Sequence, residues 1–75
     1  MSKTDLELII SIVSKHIKVD IKDIDINSKA NDFYKWDSLS QVNIIIEIEK
    51  KLNKKIIASK IGELTSIKSI LDYLK

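Results

Sequence analysis

Asp37 and Ser38 are the side chains whose types and spacing suggest chemistry in this 75-residue chain. They stand where an Asp-rich stretch gives way to an apolar pattern with helical spacing from Leu39 onward. Aspartate is a favoured N-cap because its carboxylate accepts hydrogen bonds from the free N–H groups of the first helical turn. Ser38 would then occupy the first helical position, where the positive end of the helix dipole favours a phosphate. The pair therefore indicates either a serine that carries a phosphate ester or an ordinary helix cap.

The composition indicates a small helical domain and excludes several kinds of function. The chain has one Gly, no Pro and no Cys, and it is 44% hydrophobic and 32% charged. These proportions favour a globular, helical protein, without disulfides or thiol chemistry of its own. A chain of this length buries roughly 60% of its unfolded surface, which leaves no room for a deep catalytic cleft. No acid–base pair or metal cluster is evident either, so we do not expect an enzyme.

The charge distribution and the apolar runs bear on location and partners. Net charge is +2, and there are thirteen Lys but no Arg. A small helical nucleic-acid binder is one alternative, but the lysines are scattered or lie at predicted helix ends, and arginine is the commonest base-reading residue. No apolar run approaches the 18 or so residues of a membrane span, and the N-terminus lacks a signal-peptide core. We therefore expect a cytoplasmic protein without nucleic-acid or membrane partners.

The N-terminal half predicts one helix and a long connection. Thr4 and Glu7 form a candidate capping box, and apolar residues follow with helical spacing up to Ile17. His16 is the single histidine, and we interpret it as a helix-end residue rather than a catalyst. Residues 18–36 form the connection, which we expect to be held down by its isoleucines and by two aromatic anchors. A strand there is conceivable but has no visible partner. The isoleucines and anchors are Ile21, Ile24, Ile26, Phe33 and Trp36.

A second helix is predicted from Ser38 to about residue 52 or 53, with two apolar rows. At about 100° per residue, one row forms a core stripe and the other runs down the nearly opposite side, directly from Ser38. An exposed apolar row beside a candidate modified serine is typical of a partner-docking surface; the alternative is that the long connection covers it. The core stripe consists of Ile44, Ile45, Ile48 and Leu52, and the second row of Leu39, Val42 and Ile46.

The C-terminal part completes the predicted architecture. A short helix or irregular apolar segment follows Ile56 and ends at Gly62, and Thr65 or Ser66 caps a last helix that runs to the C-terminus. We therefore predict an all-α, four-helix bundle with three main helices and one short one. The long loop joins the first and second helices, and residues 1–75 form a single domain.

The motif Asp37-Ser38-Leu39, within this helical layout, resembles the acyl carrier protein family, and the resemblance covers nearly the whole chain. It implies a carrier in which Ser38 is esterified by 4'-phosphopantetheine, the covalent cofactor, and an acyl group is held as a thioester on that arm. Asp37 would cap the helix and help a phosphopantetheinyl transferase to engage. It also implies that acyl chains shelter in the isoleucine-lined space between the helices. Leu39, Val42, Ile46, Glu47 and Glu49 would match the partner-docking positions.

Departures from the family pattern indicate a specialised pathway. Ser40 and Asn43 stand at positions that are usually acidic, Lys50 replaces another acid, and Lys35 stands where glycine is frequent. Trp36 before the motif resembles discrete carriers of polyketide, peptide or saccharide pathways more than the housekeeping fatty-acid carrier. The expected partners are the transferase and acyl-loading and acyl-processing enzymes, and the expected state is a monomer. A peptidyl or aminoacyl carrier, or an interaction module without the arm, remains an alternative.

Overall fold

The computed structural model describes the backbone of residues 2–74 and the side chains of residues 5–74. It confirms the predicted all-α class, with three longer helices, one short helix and the long connection between the first two. Among residues 2–74 there is no β-strand. None of the helices in that range is both long enough and apolar enough to cross a membrane. The four helices are α1 (Ser2–Ile17), α2 (Ser38–Leu52), α3 (Ala58–Ile61) and α4 (Ile67–Leu74).

The first helix begins earlier than its sequence predicted. Thr4 was the expected cap, and this prediction is wrong because the helix already begins at Ser2, so that Thr4 lies inside it. The side chain of Thr4 lies outside the described residues. The predicted apolar stripe is confirmed, because Ile9, Val13 and Ile17 are fully buried. The helical period of the apolar residues correctly predicted which face of α1 is buried. The capping signal at Thr4 did not correctly predict where the helix begins.

The long connection contains more local structure than its sequence suggested. It holds two one-turn 3-10 helices, at Ile21–Asp23 and Ala30–Asp32. Residues 28–30 run antiparallel to residues 65–67 for a single bridge, with backbone N–H···O=C distances of 2.7 and 3.1 Å. This bridge attaches the connection to the start of the last helix, so the loop is held by the C-terminal part of the chain.

Two side chains anchor the connection in the core. Ile24 and Trp36 are buried, whereas Ile21 and Ile26 are exposed, so one of the three predicted isoleucine anchors is confirmed. Phe33 is half-buried and stacks on Trp36, with ring centroids 6.5 Å apart. The aromatic anchors therefore hold the end of the loop directly before α2.

The later helices match the predicted elements closely. The second helix runs over the predicted range and ends because Asn53 adopts a left-handed conformation, with φ 53° and ψ 45°. The short third helix ends at Gly62, as predicted. Ser66 is the cap of the last helix, since its hydroxyl oxygen accepts a hydrogen bond from the Ser69 N–H at 3.1 Å. The predicted continuation of this helix to the C-terminus concerns Lys75, which lies outside the described residues.

Isoleucine side chains from three helices and the connection form the core. In α2, Ile44, Ile45 and Ile48 are fully buried, while Leu52 is half-buried at the end of the helix. Helix α1 contacts both α2 and α4, so it lies between them. The core therefore covers one face of α2 and fixes the position of this helix, including its N-terminus.

Candidate functional site

The first turn of α2 carries the candidate pair. Asp37 is the N-cap, and its Oδ1 accepts a hydrogen bond from the Ser40 N–H at 2.9 Å. This backbone hydrogen bond lowers the pKa of the Asp37 carboxyl, because it stabilises the ionised form. The carboxylate is exposed, so it places a negative charge at the helix N-terminus at neutral pH.

Ser38 is the first residue of the helix and is exposed. Within residues 5–74 its hydroxyl makes no hydrogen bond, because Asp37 performs the capping. An exposed, unbonded hydroxyl at a helix N-terminus suits the acceptance of a phosphate-containing group, since the helix N–H groups and dipole favour an anion there. The residues present therefore fit a phosphodiester-linked group on the Ser38 oxygen.

Gln41 holds the site together, and the sequence analysis did not single it out. It is buried, and its Oε1 accepts a hydrogen bond from Trp36 Nε1 at 2.6 Å. Its Nε2 donates to the carbonyl oxygens of Ile61, at 2.7 Å, and of Leu64. One amide thus connects the loop before Ser38, the second helix and the end of α3.

A sequence signal for Gln41 was nevertheless present. Gln41 precedes Ile44, Ile45 and Ile48 by three, four and seven residues, so it falls on the core stripe of α2. A polar residue on such a stripe must find partners when it is buried. The stripe therefore indicated that Gln41 is structural, although it did not indicate which groups it would bind.

A surface cleft of about 580 Å³ opens beside the candidate serine. It lies between the first turns of α2, the short helix α3 and the end of the long connection. Its lining is mostly apolar, and Asp37 is its one ionisable side chain. In contrast, the isoleucines between the helices, which the family resemblance implied as the acyl shelter, are tightly buried. The cleft is lined by Ala30, Trp36, Asp37, Ser38, Gln41, Val42, Ala58, Ile61, Gly62 and Thr65.

The second apolar row of α2 is exposed, and we call Leu39, Val42 and Ile46 the α2 apolar row. Their exposed fractions are 72%, 41% and 40%. The long connection does not cover them, so the predicted exposure of this row is confirmed. Val42 also lines the cleft, which makes the row continuous with the surroundings of Ser38.

The two acidic residues that the family resemblance places among the docking positions make contacts within the protein. Glu47 Oε2 lies 2.6 Å from Lys15 Nζ, and Glu47 Oε1 lies 2.8 Å from His16 Nε2. The hydrogen bonds from Lys15 and then His16 lower the pKa of the Glu47 carboxyl. Glu49 Oε2 accepts a hydrogen bond from the Ile56 N–H at 2.7 Å. Both carboxylates therefore fasten α2 to neighbouring segments.

Comparison with known proteins identifies the family. The model of the family described as phosphopantetheine attachment site matches residues 7–74. The match includes all four helices and the loop before α2, apart from the first residues of α1. A comparison with curated proteins found no significant match.

Proposed function

Because the chain belongs to the phosphopantetheine attachment family and serves as a phosphopantetheine carrier, we propose that Ser38 is the attachment residue and that the cargo is an acyl group. The observation that carries the proposal is the exposed, unbonded Ser38 hydroxyl at the N-terminus of α2. When bound, the prosthetic group supplies a thiol on a flexible arm, to which an acyl group is joined as a thioester. The chain itself provides the attachment oxygen, the helix that presents it and the adjoining surfaces.

Asp37 is proposed to act at the same position in two ways. Its carboxylate caps the helix, which leaves the Ser38 hydroxyl free to react. Its exposed negative charge also offers the phosphopantetheinyl transferase a point of recognition next to the reacting oxygen. The Asp37→Asn variant separates the two roles, because asparagine caps about as well as aspartate but carries no charge. We expect Asp37→Asn to keep the helix content of the native protein and to be modified more slowly.

The chemistry of the cleft supports an acyl cargo over an aminoacyl one. The side chains that surround the cleft are mostly aliphatic or aromatic, including Trp36, Val42 and Ile61. An aminoacyl group carries an ammonium ion, and desolvating it beside such side chains costs free energy unless a counter-ion is close. Asp37 is the single carboxylate among them, and it is already hydrogen-bonded. The aminoacyl carrier is the second candidate.

The partner enzymes are proposed to dock on the α2 apolar row. This row begins next to Ser38 and stays exposed along the helix, so an enzyme bound there lies close to the arm. A tethered substrate then meets the enzyme at a high effective concentration without diffusing freely. Glu47 and Glu49 flank the row, but with their carboxylates already bonded within the protein.

The proposal is tested by intact-mass measurement after incubation with coenzyme A, Mg²⁺ and a broad-specificity phosphopantetheinyl transferase. We expect the native chain to gain one phosphopantetheine unit and Ser38→Ala to gain none, with both folded by circular dichroism. Ser40→Ala is the matched control, because it removes a hydroxyl from the same helical turn. A gain on Ser38→Ala would refute the assignment of the serine. A folded native chain that gains nothing would favour an interaction module without the arm.

A further inference from the structure

The α2 apolar row ends at a pair of lysines. Lys50 follows Ile46 by four residues, so the two lie one above the other on the same side of the helix. A shallow groove of about 380 Å³ runs along this end of the helix, and we call it the lysine groove. It is lined by His16, Asn43, Ile46, Glu47, Lys50 and Lys51.

The ionised groups around the lysine groove do not balance. Glu47 is the one carboxylate in its lining, and Lys15 and His16 already contact both of its oxygens. Lys50 and Lys51 are exposed, and within residues 5–74 neither forms an ion pair with a carboxylate. The ammonium groups of Lys50 and Lys51 are therefore left without a carboxylate partner among residues 5–74.

Glu49 lies on the other flank of the row, outside the lining of the lysine groove. Its carboxylate is half-buried and bonded to the Ile56 N–H, where it closes the turn after α2. A partner that approaches the apolar row thus meets uncompensated positive charge at the C-terminal end of the helix. Mutual alignment of opposite charges guides protein association and excludes partners of like charge.

We propose that the partner surface for α2 is an apolar strip that ends in a cluster of carboxylates, which pair with Lys50 and Lys51. One part of this inference rests on the proposed function, namely the distance from the attachment residue. Lys50 lies twelve positions after Ser38, or about 18 Å along the helix. A partner that takes cargo from an arm on Ser38 therefore carries its acidic cluster about 18 Å from the part of its surface that faces Ser38. Repulsion from the same two lysines disfavours enzymes that dock through basic patches.

The test uses a synthetic amphipathic helical peptide with a row of leucines, glutamates clustered at one end and glutamines elsewhere. A nitroxide is attached at the glutamate end in one version and at the opposite end in another. The protein is first converted to its pantetheine-bearing form, verified by mass, and the arm thiol is alkylated. Because the chain has no Cys, no other thiol interferes. Amide NMR spectra then report both affinity and orientation, at low and at high salt.

We expect the nitroxide at the glutamate end to broaden the amide signals of residues 46–51, and the nitroxide at the other end to broaden those around Leu39. Lys50→Glu/Lys51→Glu should weaken binding about tenfold, since each exposed ion pair contributes modestly. High salt should also weaken binding to the native protein, because it screens the attraction between the lysines and the glutamates of the peptide. Lys22→Glu/Lys54→Glu is the matched control, because it changes net charge equally at exposed lysines outside α2.

The proposal is overturned if both nitroxide positions broaden the same signals, if the peptide fails to bind, or if the two double variants weaken binding equally. These outcomes are separate from a failure of the proposed function. That failure would show at the first step, as a native chain that gains no phosphopantetheine. The unmodified protein can then still be titrated with the same peptides, because the lysine groove does not involve Ser38.

Discussion

At the residue scale, Asp37 and Ser38 have separate roles at the start of α2. Asp37 caps the helix, and Ser38 exposes its hydroxyl to solvent. Asp37 satisfies the Ser40 N–H, so the Ser38 hydroxyl is not needed for the helix. The separation allows Ser38 to be esterified without loss of a structural contact.

Gln41 supports this turn from inside the protein. Replacing it with Ala leaves Trp36 Nε1 and two backbone carbonyls without their partner in a buried environment. We expect Gln41→Ala to lower the free energy of unfolding by about 1–3 kcal/mol, as measured by urea denaturation. Asn43→Ala removes an exposed amide from the same helix and should change it by at most about 0.5 kcal/mol. Equal effects of the two variants would contradict the role given to Gln41.

At the scale of the elements, α2 is joined to its neighbours through charged side chains as well as isoleucines. Lys15 and His16, in the last turn of α1, both contact Glu47 in the middle of α2. Within residues 5–74, these contacts are the side-chain hydrogen bonds that join the two helices. They also remove the Glu47 charge from the surface that a partner would meet.

The contacts of Glu47 predict a pH dependence of stability. Its folded-state pKa is lowered, so its contribution is complete above the ordinary pKa of glutamate and is lost as the pH falls through the lowered value. Because Lys15 is 63% exposed, solvent limits the contribution to about 0.5–1 kcal/mol. We expect Glu47→Gln to be less stable than the native protein by this amount at pH 7, in urea denaturation. The difference should shrink under acidic conditions, and a difference that grows there would contradict this account.

Helix α3 offers a test of the cleft that leaves the fold intact. Gly62 has ordinary helical dihedral angles, and a Cβ there would meet no atom within 4 Å. The free energy of unfolding of Gly62→Leu should therefore lie within about 1 kcal/mol of that of the native protein. The new side chain should fill part of the cleft. If the arm rests in the cleft, modification should shift the amide NMR signals of Gln41, Val42 and Ile61 in the native protein and much less in Gly62→Leu.

Gly62→Ala is the control for this experiment, because its smaller side chain leaves most of the cleft open. It should show the shifts of the native protein. Undiminished shifts in Gly62→Leu would mean that the arm lies elsewhere. Intact mass must show one phosphopantetheine on all three proteins for the comparison to count.

At the scale of the whole molecule, stability depends on a small core made largely of isoleucine. A chain of this length has a free energy of unfolding of roughly 4–11 kcal/mol. Each fully buried isoleucine therefore contributes a large share of the total. The protein can present the exposed α2 apolar row because the opposite side of the same helix lies in this core.

The dependence of stability on buried isoleucines can be measured by replacing one buried and one exposed isoleucine, Ile48 and Ile57, with alanine. Ile48 is fully buried, and Ile48→Ala should lower the free energy of unfolding by about 2–5 kcal/mol. Ile57 is 59% exposed, and Ile57→Ala should cost at most about 0.5 kcal/mol. Thermal unfolding followed by circular dichroism gives both values, and a cost at Ile57 similar to that at Ile48 would contradict the assignment of the core.

The sequence by itself determined the helices, the cap at Asp37, the motif around Ser38 and the two apolar rows of α2. These features depend on residues within a few positions of one another, so the helical period and capping chemistry are enough to predict them. Local signals were weaker at the first helix, whose start was misplaced at Thr4, and in the loop, whose 3-10 turns follow no strong pattern.

Only the tertiary structure shows which polar side chains form hydrogen bonds or ion pairs within the protein. Glu47 contacts residues about thirty positions away in α1, and Gln41 binds carbonyls 20 and 23 positions ahead. Such pairings depend on how the helices pack, and no periodic pattern encodes them. They leave the carboxylates of α2 bonded and Lys50 and Lys51 without ion pairs among residues 5–74. The charge that the exposed side of α2 presents is therefore a property of the fold rather than of the composition of the helix.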